Sequence, residues 1–436
     1  MSSQDFIKFA LQIAVMLACA LLMGQFMRRI KQPAVLGELL GGIILGPTIL
    51  GMLFPEAYSW LFRSSEEVAI LRDASIKLGM LFFLFIAGLE INFSNTNKIG
   101  RYAVFIGLAG TLLPISFGVG LVYLIPHEFW GPVAQQNLLV FSLFIGLNLA
   151  NTANPVIVRI LLDLNLLKKE IGSLTLTATV VDDAITWTLF AVMLSLVSPA
   201  RSEFGSGIGG ILFLIAAFFV LMLTLGRSLA PRALRWVRQR VAWPSGFIAF
   251  TAIAILLVSS AAEIIGIHAF LGAFLLGVVV AGKHPEAEEA HTMIAQFVMA
   301  FFAPIYFVSI GMKTNFIANF DLLLFAIILL SASASKFLSV LLGARLAGMT
   351  INRQTFAIAS GLNARGATGI ILAGIGLSNG LIDERVFVAL FSMAIITSMV
   401  AGPLMHYFLK GQSTNIVQVE DAAEYNPDKH PLPIDS

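Results

Sequence analysis

Two carboxylates stand side by side in Ala178-Thr-Val-Val-Asp-Asp-Ala-Ile-Thr-Trp187, and the nearest other charges along the chain are Glu170 and Arg201. An ionised side chain in so apolar a setting is costly and is retained where it is paired or used. Asp182 and Asp183 are too close to ionise independently, so their titrations couple. Such a pair can hold either a monovalent cation or protons at one place. That is the chemistry of exchange, with no bond made or broken, and it calls for no catalytic residue and no cofactor.

Lys336, in Ser331-Ala-Ser-Ala-Ser-Lys-Phe337, is a second buried charge, and the aspartates are the obvious partners for it. Neighbouring helical residues point about 100° apart. One aspartate can therefore face a cavity while the other faces Lys336. Polar residues interrupt two further apolar stretches. Asn148-Leu-Ala-Asn-Thr-Ala-Asn-Pro155 ends in a proline, and Gly361-Leu-Asn-Ala-Arg-Gly-Ala-Thr-Gly369 carries three glycines and Arg365. Backbone unwound at membrane depth is tolerated only against protein or a water-filled cavity. Thr152, Asn151, Asn154, Asn148, Asn363 and Arg365 are thus the candidates for the broken segments and the cation path. Thr152 is the foremost hydroxyl ligand among them. Glu38, Glu90, Glu263 and His268 fall near helix ends, where snorkelling and packing account for them.

The elements that must position these residues are membrane helices. The chain of 436 residues is 58% hydrophobic and 12% charged, with a mean hydropathy of +0.89, far from soluble averages. Apolar runs long enough to span the bilayer recur at about 5–27, 33–53, 74–92, 101–125, 137–163, 171–197, 206–230, 244–264, 267–282, 292–312, 320–346, 354–380 and 386–411. The fold expected is therefore an all-α polytopic membrane protein of about 13 helices.

Basic residues favour an N-terminus outside and a C-terminus in the cytoplasm, with 17 of 27 lysines and arginines on the cytoplasmic side under that topology and 7 opposite. The cluster Arg227–Arg240 reads as an ordinary basic linker. A single cysteine, Cys19, excludes an intramolecular disulfide. Residues 412–436 form a polar, acidic tail expected to be disordered, and no glycine-rich nucleotide-binding unit is expected beyond the membrane part.

The chain also resembles itself. Phe83-Leu-Phe-Ile-Ala-Gly-Leu-Glu-Ile-Asn-Phe93 aligns with Tyr306-Phe-Val-Ser-Ile-Gly-Met-Lys-Thr-Asn-Phe316. Leu36–Gly42 aligns with Leu271–Gly277, and Gly146-Leu-Asn148 with Gly361-Leu-Asn363. Helices 1–6 then correspond to helices 8–13. The odd offset of seven inverts the second copy, as in secondary transporters with a midplane site. Helices 5 and 12 are the expected crossed, broken pair.

Together, Val180-Val-Asp-Asp183, the Lys336 helix, the paired breaks and Gly37-Glu-Leu-Leu-Gly-Gly-Ile-Ile-Leu-Gly-Pro47 resemble monovalent cation/proton antiporters of the second cation/proton antiporter family. The resemblance covers roughly residues 5–411. It implies a transmembrane domain over 1–411, with a homodimerising part at about 1–95 and 244–314. A transport core follows at about 99–198 and 320–411, joined by a linker helix at about 206–240. It implies that Asp183 carries the cation and the proton while Asp182 pairs with Lys336. Ala367-Thr368 departs from the family, in which many members place an acidic residue there.

The expected function is electrogenic Na⁺/H⁺ antiport in an inner or plasma membrane, with membrane lipid as surroundings, a second copy as partner and no nucleic acid. A K⁺/H⁺ antiporter is the nearest alternative. A channel and a sodium-coupled organic anion carrier are more distant. An intramembrane aspartyl protease is disfavoured because both aspartates share one helix.

Overall fold

The computed structural model describes residues 3–30, 34–62, 66–89, 100–164, 166, 169–197, 208–241, 245–265, 269–281 and 292–410. The tail at 412–436, Glu90 and His268 lie outside them. Among the described residues every regular element is helical. Hydrocarbon leaves a backbone no partner but itself, and a helix satisfies each amide within its own segment.

The helices are α1 (Ser3–Arg29), α2 (Ala34–Leu45), α3 (Glu66–Leu89), α4 (Gly100–Leu124), α5 (Leu138–Ala150), α6 (Asn154–Asp163) and α7 (Glu170–Val197). Then come α8 (Ile208–Leu221), α9 (Arg227–Arg240), α10 (Ser245–Ile264), α11 (Ala269–Val280), α12 (Ala303–Gly311) and α13 (Leu322–Ala347). The chain closes with α14 (Arg353–Leu362), α15 (Gly366–Ser378) and α16 (Glu384–Leu409). Among these described residues, eight helical stretches are long and apolar enough to cross a membrane, and shorter apolar helices accompany them.

The ends of α13 show how sequence sets a boundary. Asp321 caps its start by accepting from the Leu324 N–H at 3.0 Å, a standard use of a short acidic side chain. That N–H, with Arg385 adding to it, holds the Asp321 carboxyl below its usual range. Gly348 ends the helix at φ +87°, a left-handed cap that glycine adopts without strain.

Two groups of helices pack around one another. α4, α5, α6, α7, α13, α14, α15 and α16 form one, and α1, α2, α3, α10, α11 and α12 form the other. The second group displays the repeat as geometry. A Cβ on Gly42 would lie 2.2 Å from Val308 O, and one on Gly311 2.3 Å from Leu39 O. At the equivalent crossing a Cβ on Gly88 would lie 2.1 Å from Phe274 O, and one on Gly277 2.1 Å from Phe85 O. Gly42 aligns with Gly277 and Gly88 with Gly311 in sequence, so the two crossings are the same contact made twice. Small residues are what allow backbones to approach so closely.

One expectation is corrected. The second span is not one helix, because α2 stops at Leu45 and a separate turn covers Leu50–Leu53. Pro47 lacks a backbone N–H and disfavours helix just before it, at Gly46. The basic segment, expected to lie in a linker helix at about 206–240, is helical: α8 passes through a π turn at Met222–Gly226 into α9, with Pro231 inside the helix. Its arginines lie along an amphipathic surface, a pattern that suits a helix in the headgroup region as well as a loop.

Arg385 at the start of α16 sits over the Phe129 ring, 5.3 Å from its centroid, just before α5. The membrane face carrying these two starts is called the first face below, and its opposite the second.

Candidate functional site

Both broken helices are interrupted where the sequence is polar, and the two gaps cross. α5 gives way to extended backbone at Asn151–Ala153 before α6 begins, and α14 gives way at Asn363–Arg365 before α15. Pro155 stands in the first turn of α6, where a missing N–H breaks no helical bond. Ala153 N–H donates to Ala364 O at 2.7 Å, and Thr152 Oγ1 donates to Leu362 O at 3.0 Å. Thr368 Oγ1 is shared between Thr152 O and Arg365 O at 3.2 Å each, while it accepts from Asn151 Nδ2 at 3.0 Å. Gly366 has φ +42°, and a Cβ there would meet Val156 Cγ2 at 2.6 Å. Only glycine fits that crossing.

The ends of the half-helices carry partial charges, and the side chains answer them. The last carbonyls of α5 form a negative end. Arg365 donates to Leu149 O at 2.5 Å and Lys336 to Ala150 O at 2.5 Å. Arg365 also holds Ala332 O at 2.8 Å, Asn363 O at 3.0 Å and Asn363 Oδ1 at 2.6 Å. Its guanidinium thus neutralises helix ends. Asn363 Nδ2 reaches Ser333 Oγ at 3.3 Å, which ties the second break to α13.

Adjacency on α7 divides the carboxylates. Asp182 turns towards α13 and α4: its Oδ2 lies 3.0 Å from Lys336 Nζ, and its Oδ1 accepts from Thr111 Oγ1 at 2.5 Å. Lys336 completes its donors with Gly110 O at 2.9 Å. This is a fully satisfied buried pair, the condition under which burial of two charges is tolerable. Asp183 turns instead towards the break, where its Oδ2 accepts from Asn154 Nδ2 at the N-terminus of α6. The positive end of that half-helix favours an anion there. Asp183 is 6% exposed against 1% for Asp182.

The sequence-derived candidates therefore separate. Asp182, Asp183, Lys336, Asn151, Thr152, Asn154, Asn363 and Arg365 converge on the crossing. Asn148 does not lie in the unwound part; it remains within α5, and its Nδ2 donates to Phe144 O at 2.9 Å. Two participants escaped the sequence reading. Thr111 is one of several hydroxyls in α4, and nothing in the sequence sets it apart from Ser116 of the same helix. Thr368 joins both breaks through its hydroxyl, which accepts from Asn151 and donates towards Thr152 O and Arg365 O.

On the first face a cavity of about 930 Å³ opens between α3, α10, α11, α12 and the end of α15, with Arg72, Asp73, Lys77, Glu263, Lys313 and Glu384 among its lining. Lys313, just past α12, donates to Gly374 O at 3.2 Å and to Ser378 Oγ, so it bridges the two helix groups at the negative end of α15. Burial pushes the Lys313 ammonium down to about 8, with Asp73 opposing; the residue as a whole is solvent-exposed, so water screens part of that effect.

The folded value lies below the unfolded value of 10.5. Its stabilising contribution is therefore complete above the unfolded value and is lost as pH falls through about 8. Relative to Lys313→Met, the wild type should gain melting temperature between pH 8 and 10.5, by no more than a few degrees. A difference independent of pH would contradict the shift.

A model of the transmembrane sodium/hydrogen exchanger family matches residues 14–411. The chain is 31% identical over 396 residues to the Na(+)/H(+) antiporter NhaS4 of Synechocystis sp., covering 90% of this chain and 95% of that one. It is 30% identical over 404 residues to cation/H(+) antiporter 18 of Arabidopsis thaliana, covering 91% of this chain and 48% of that one. It thus spans about half the length of several curated relatives and nearly the whole of others. In structure it resembles the sodium proton antiporter MjNhaP1 from Methanocaldococcus jannaschii, with a TM-score of 0.66 at 13% identity, covering 93% of this chain and 98% of that one.

Proposed function

The chain belongs to the sodium/hydrogen exchanger family, and on that premise we propose that it is a secondary antiporter exchanging Na⁺ for protons through Asp183. The observation that carries this reading is the different direction in which the two aspartates point. Asp182 has both oxygens committed to Lys336 and Thr111, whereas Asp183 faces the crossed breaks beside the polar end of α6. A proton on Asp183 neutralises it, and a cation replaces that proton with the same net effect. Thr152, Asn151 and Asn154 surround the exchange point and supply oxygen to a dehydrated cation, as unwound segments do in other transporters.

In this reading the α4–α7 and α13–α16 group is the moving core, and the α1–α3 and α10–α12 group is the scaffold and homodimer surface. The first face is exterior, and the membrane is a plasma or inner membrane. If two protons exchange for one cation, the second is carried by the Asp182–Lys336 pair, and each cycle then moves one net charge, worth about 2.3 kcal/mol per 100 mV, with which the membrane potential assists cation extrusion. Support for Na⁺ comes from the whole-length similarity to NhaS4, whose name specifies it.

The test is purified protein in proteoliposomes with a pH gradient and a quenched pH dye, titrated in parallel with Na⁺, K⁺ and Li⁺. Saturable dequenching by Na⁺ at the lowest concentration is expected, with a transient current. Saturation by K⁺ below Na⁺ would replace this reading by K⁺/H⁺ exchange. Dequenching by none of the three would remove antiport altogether.

A further inference from the structure

α7 holds five threonines, and one behaves unlike the rest. Thr175, Thr177, Thr179 and Thr188 each donate to the carbonyl four residues back, at 2.6 to 2.8 Å. That is the usual resting place of a helical hydroxyl. Thr186 is 1% exposed, and its Oγ1 finds no hydrogen-bond partner among the described residues. Asn148 is also 1% exposed; because its Nδ2 is fixed on Phe144 O, its Oδ1 points elsewhere and is likewise unpaired among the described residues. A buried polar atom left unpaired costs about 1–3 kcal/mol, so two of them near one site require an explanation.

Their places in the fold relate them. Phe144 of α5 and Phe190 of α7 are in ring contact, 6.3 Å between centroids, and Asn154 of α6 reaches Asp183 of α7. Advancing along α5 and α6 therefore means retreating along α7: the two run antiparallel. Residues four apart share a helix face. One turn inward from Phe144 is Asn148, and one turn inward from Phe190 is Thr186. Further inward lie the unwound Thr152 on one side and, one turn on, Asp182 and Asp183 on the other.

The seam between α5 and α7 is thus layered from the first face: an aromatic pair, then two unpaired oxygens, then the carboxylates. The aromatic layer is firmly set. Phe144 presses on α15, since a Cβ on Gly376 would lie 2.1 Å from Phe144 Cζ. Trp187 contacts both Phe190 and Phe274 of α11, at 6.1 and 6.0 Å.

We infer that Thr186 Oγ1 and Asn148 Oδ1 are cation ligands on the first-face side of Asp183, receiving a partly dehydrated monovalent cation one helical turn before the carboxylate does. Two neutral oxygens are suited to such a relay, because they replace lost hydration water without holding the ion so tightly that it cannot move on. The Phe144–Phe190 pair is the barrier above them. This inference rests on the assignment of Asp183 as the exchange site.

The test uses full-length protein in proteoliposomes of known orientation, with Na⁺ titrated separately from each face. Thr186→Val keeps the shape and removes the oxygen; Asn148→Leu does the same at its position. Each should raise the Na⁺ KM from the first face about five- to tenfold, with kcat and the KM from the second face within about twofold. Thr186→Ser, which keeps the hydroxyl, should restore the wild-type KM. The double variant should be no worse than the worse single one, because ligands sharing one ion are not additive.

Wild-type first-face KM in both single variants, or equal loss from both faces without rescue by serine, would overturn the inference. Asp183→Asn, run alongside, separates the two readings. If it is inactive while the others match wild type, only the oxygen pair fails. If it still exchanges, the carboxylate assignment itself fails.

Discussion

Asp183→Asn should abolish cation/proton exchange while leaving the protein as stable as before or more so. Asparagine has the same shape, and a carbonyl oxygen at the same place still accepts from Asn154 Nδ2. What it lacks is a titratable charge. With no proton to release and no anion to neutralise, it cannot trade one cation for another. A buried carboxylate that serves function is normally retained at some expense of stability. The expected outcome is therefore a split: Na⁺-dependent dequenching no greater than in protein-free liposomes, and a melting temperature equal to or above wild type. Dequenching at the wild-type rate would reject Asp183 as the carrier. A collapsed melting temperature would instead assign it a structural role.

Lys336→Ala should have the opposite signature in stability. Lys336 is 1% exposed, and its ammonium serves Asp182 Oδ2, Ala150 O and Gly110 O together. Removing it leaves a carboxylate buried with only Thr111 as donor, and it uncovers the negative end of α5. Breaking one partner of a buried pair costs about 3–5 kcal/mol, a fall in melting temperature on the order of 5–10 °C. Because the cost comes from stranding Asp182, the double change Lys336→Met with Asp182→Asn should recover most of the loss. In the single variant, charge movement per cycle should also fall, since Asp182 is then free to compete with Asp183 for protons. Unchanged melting temperature in Lys336→Ala would exclude the pair as a stabilising element, and unchanged currents would exclude it from coupling.

Much of this was legible before any fold was in view, for reasons that lie along the chain. Apolar length marks a membrane helix because the bilayer imposes a fixed thickness. A tandem aspartate or a lone lysine within such a run stands out because hydrocarbon tolerates neither without purpose. The two breaks announce themselves through Asn148–Pro155 and Gly361–Gly369, since proline and glycine act on the backbone where they stand. The repeat was readable for the same reason, and Gly42, Gly88, Gly277 and Gly311 later proved to be its paired crossings.

Other features had no linear signature. Thr111 and Thr368 are ordinary residues in sequence. Each matters because another helix brings a carboxylate or an amide within reach of its hydroxyl. Thr186 differs from four neighbouring threonines only in where its oxygen points.

The residue types and their order thus fix that this is a membrane protein with an inverted repeat, two broken helices and a paired-carboxylate site. Which aspartate faces Lys336, which faces the crossing, and which hydroxyls attend them depend on the rotation of α7 about its axis. That rotation is set by packing against α4, α5 and α13, contacts between residues some 70 to 150 positions apart. No local pattern encodes such an angle, because it is the joint solution of several helices packing at once.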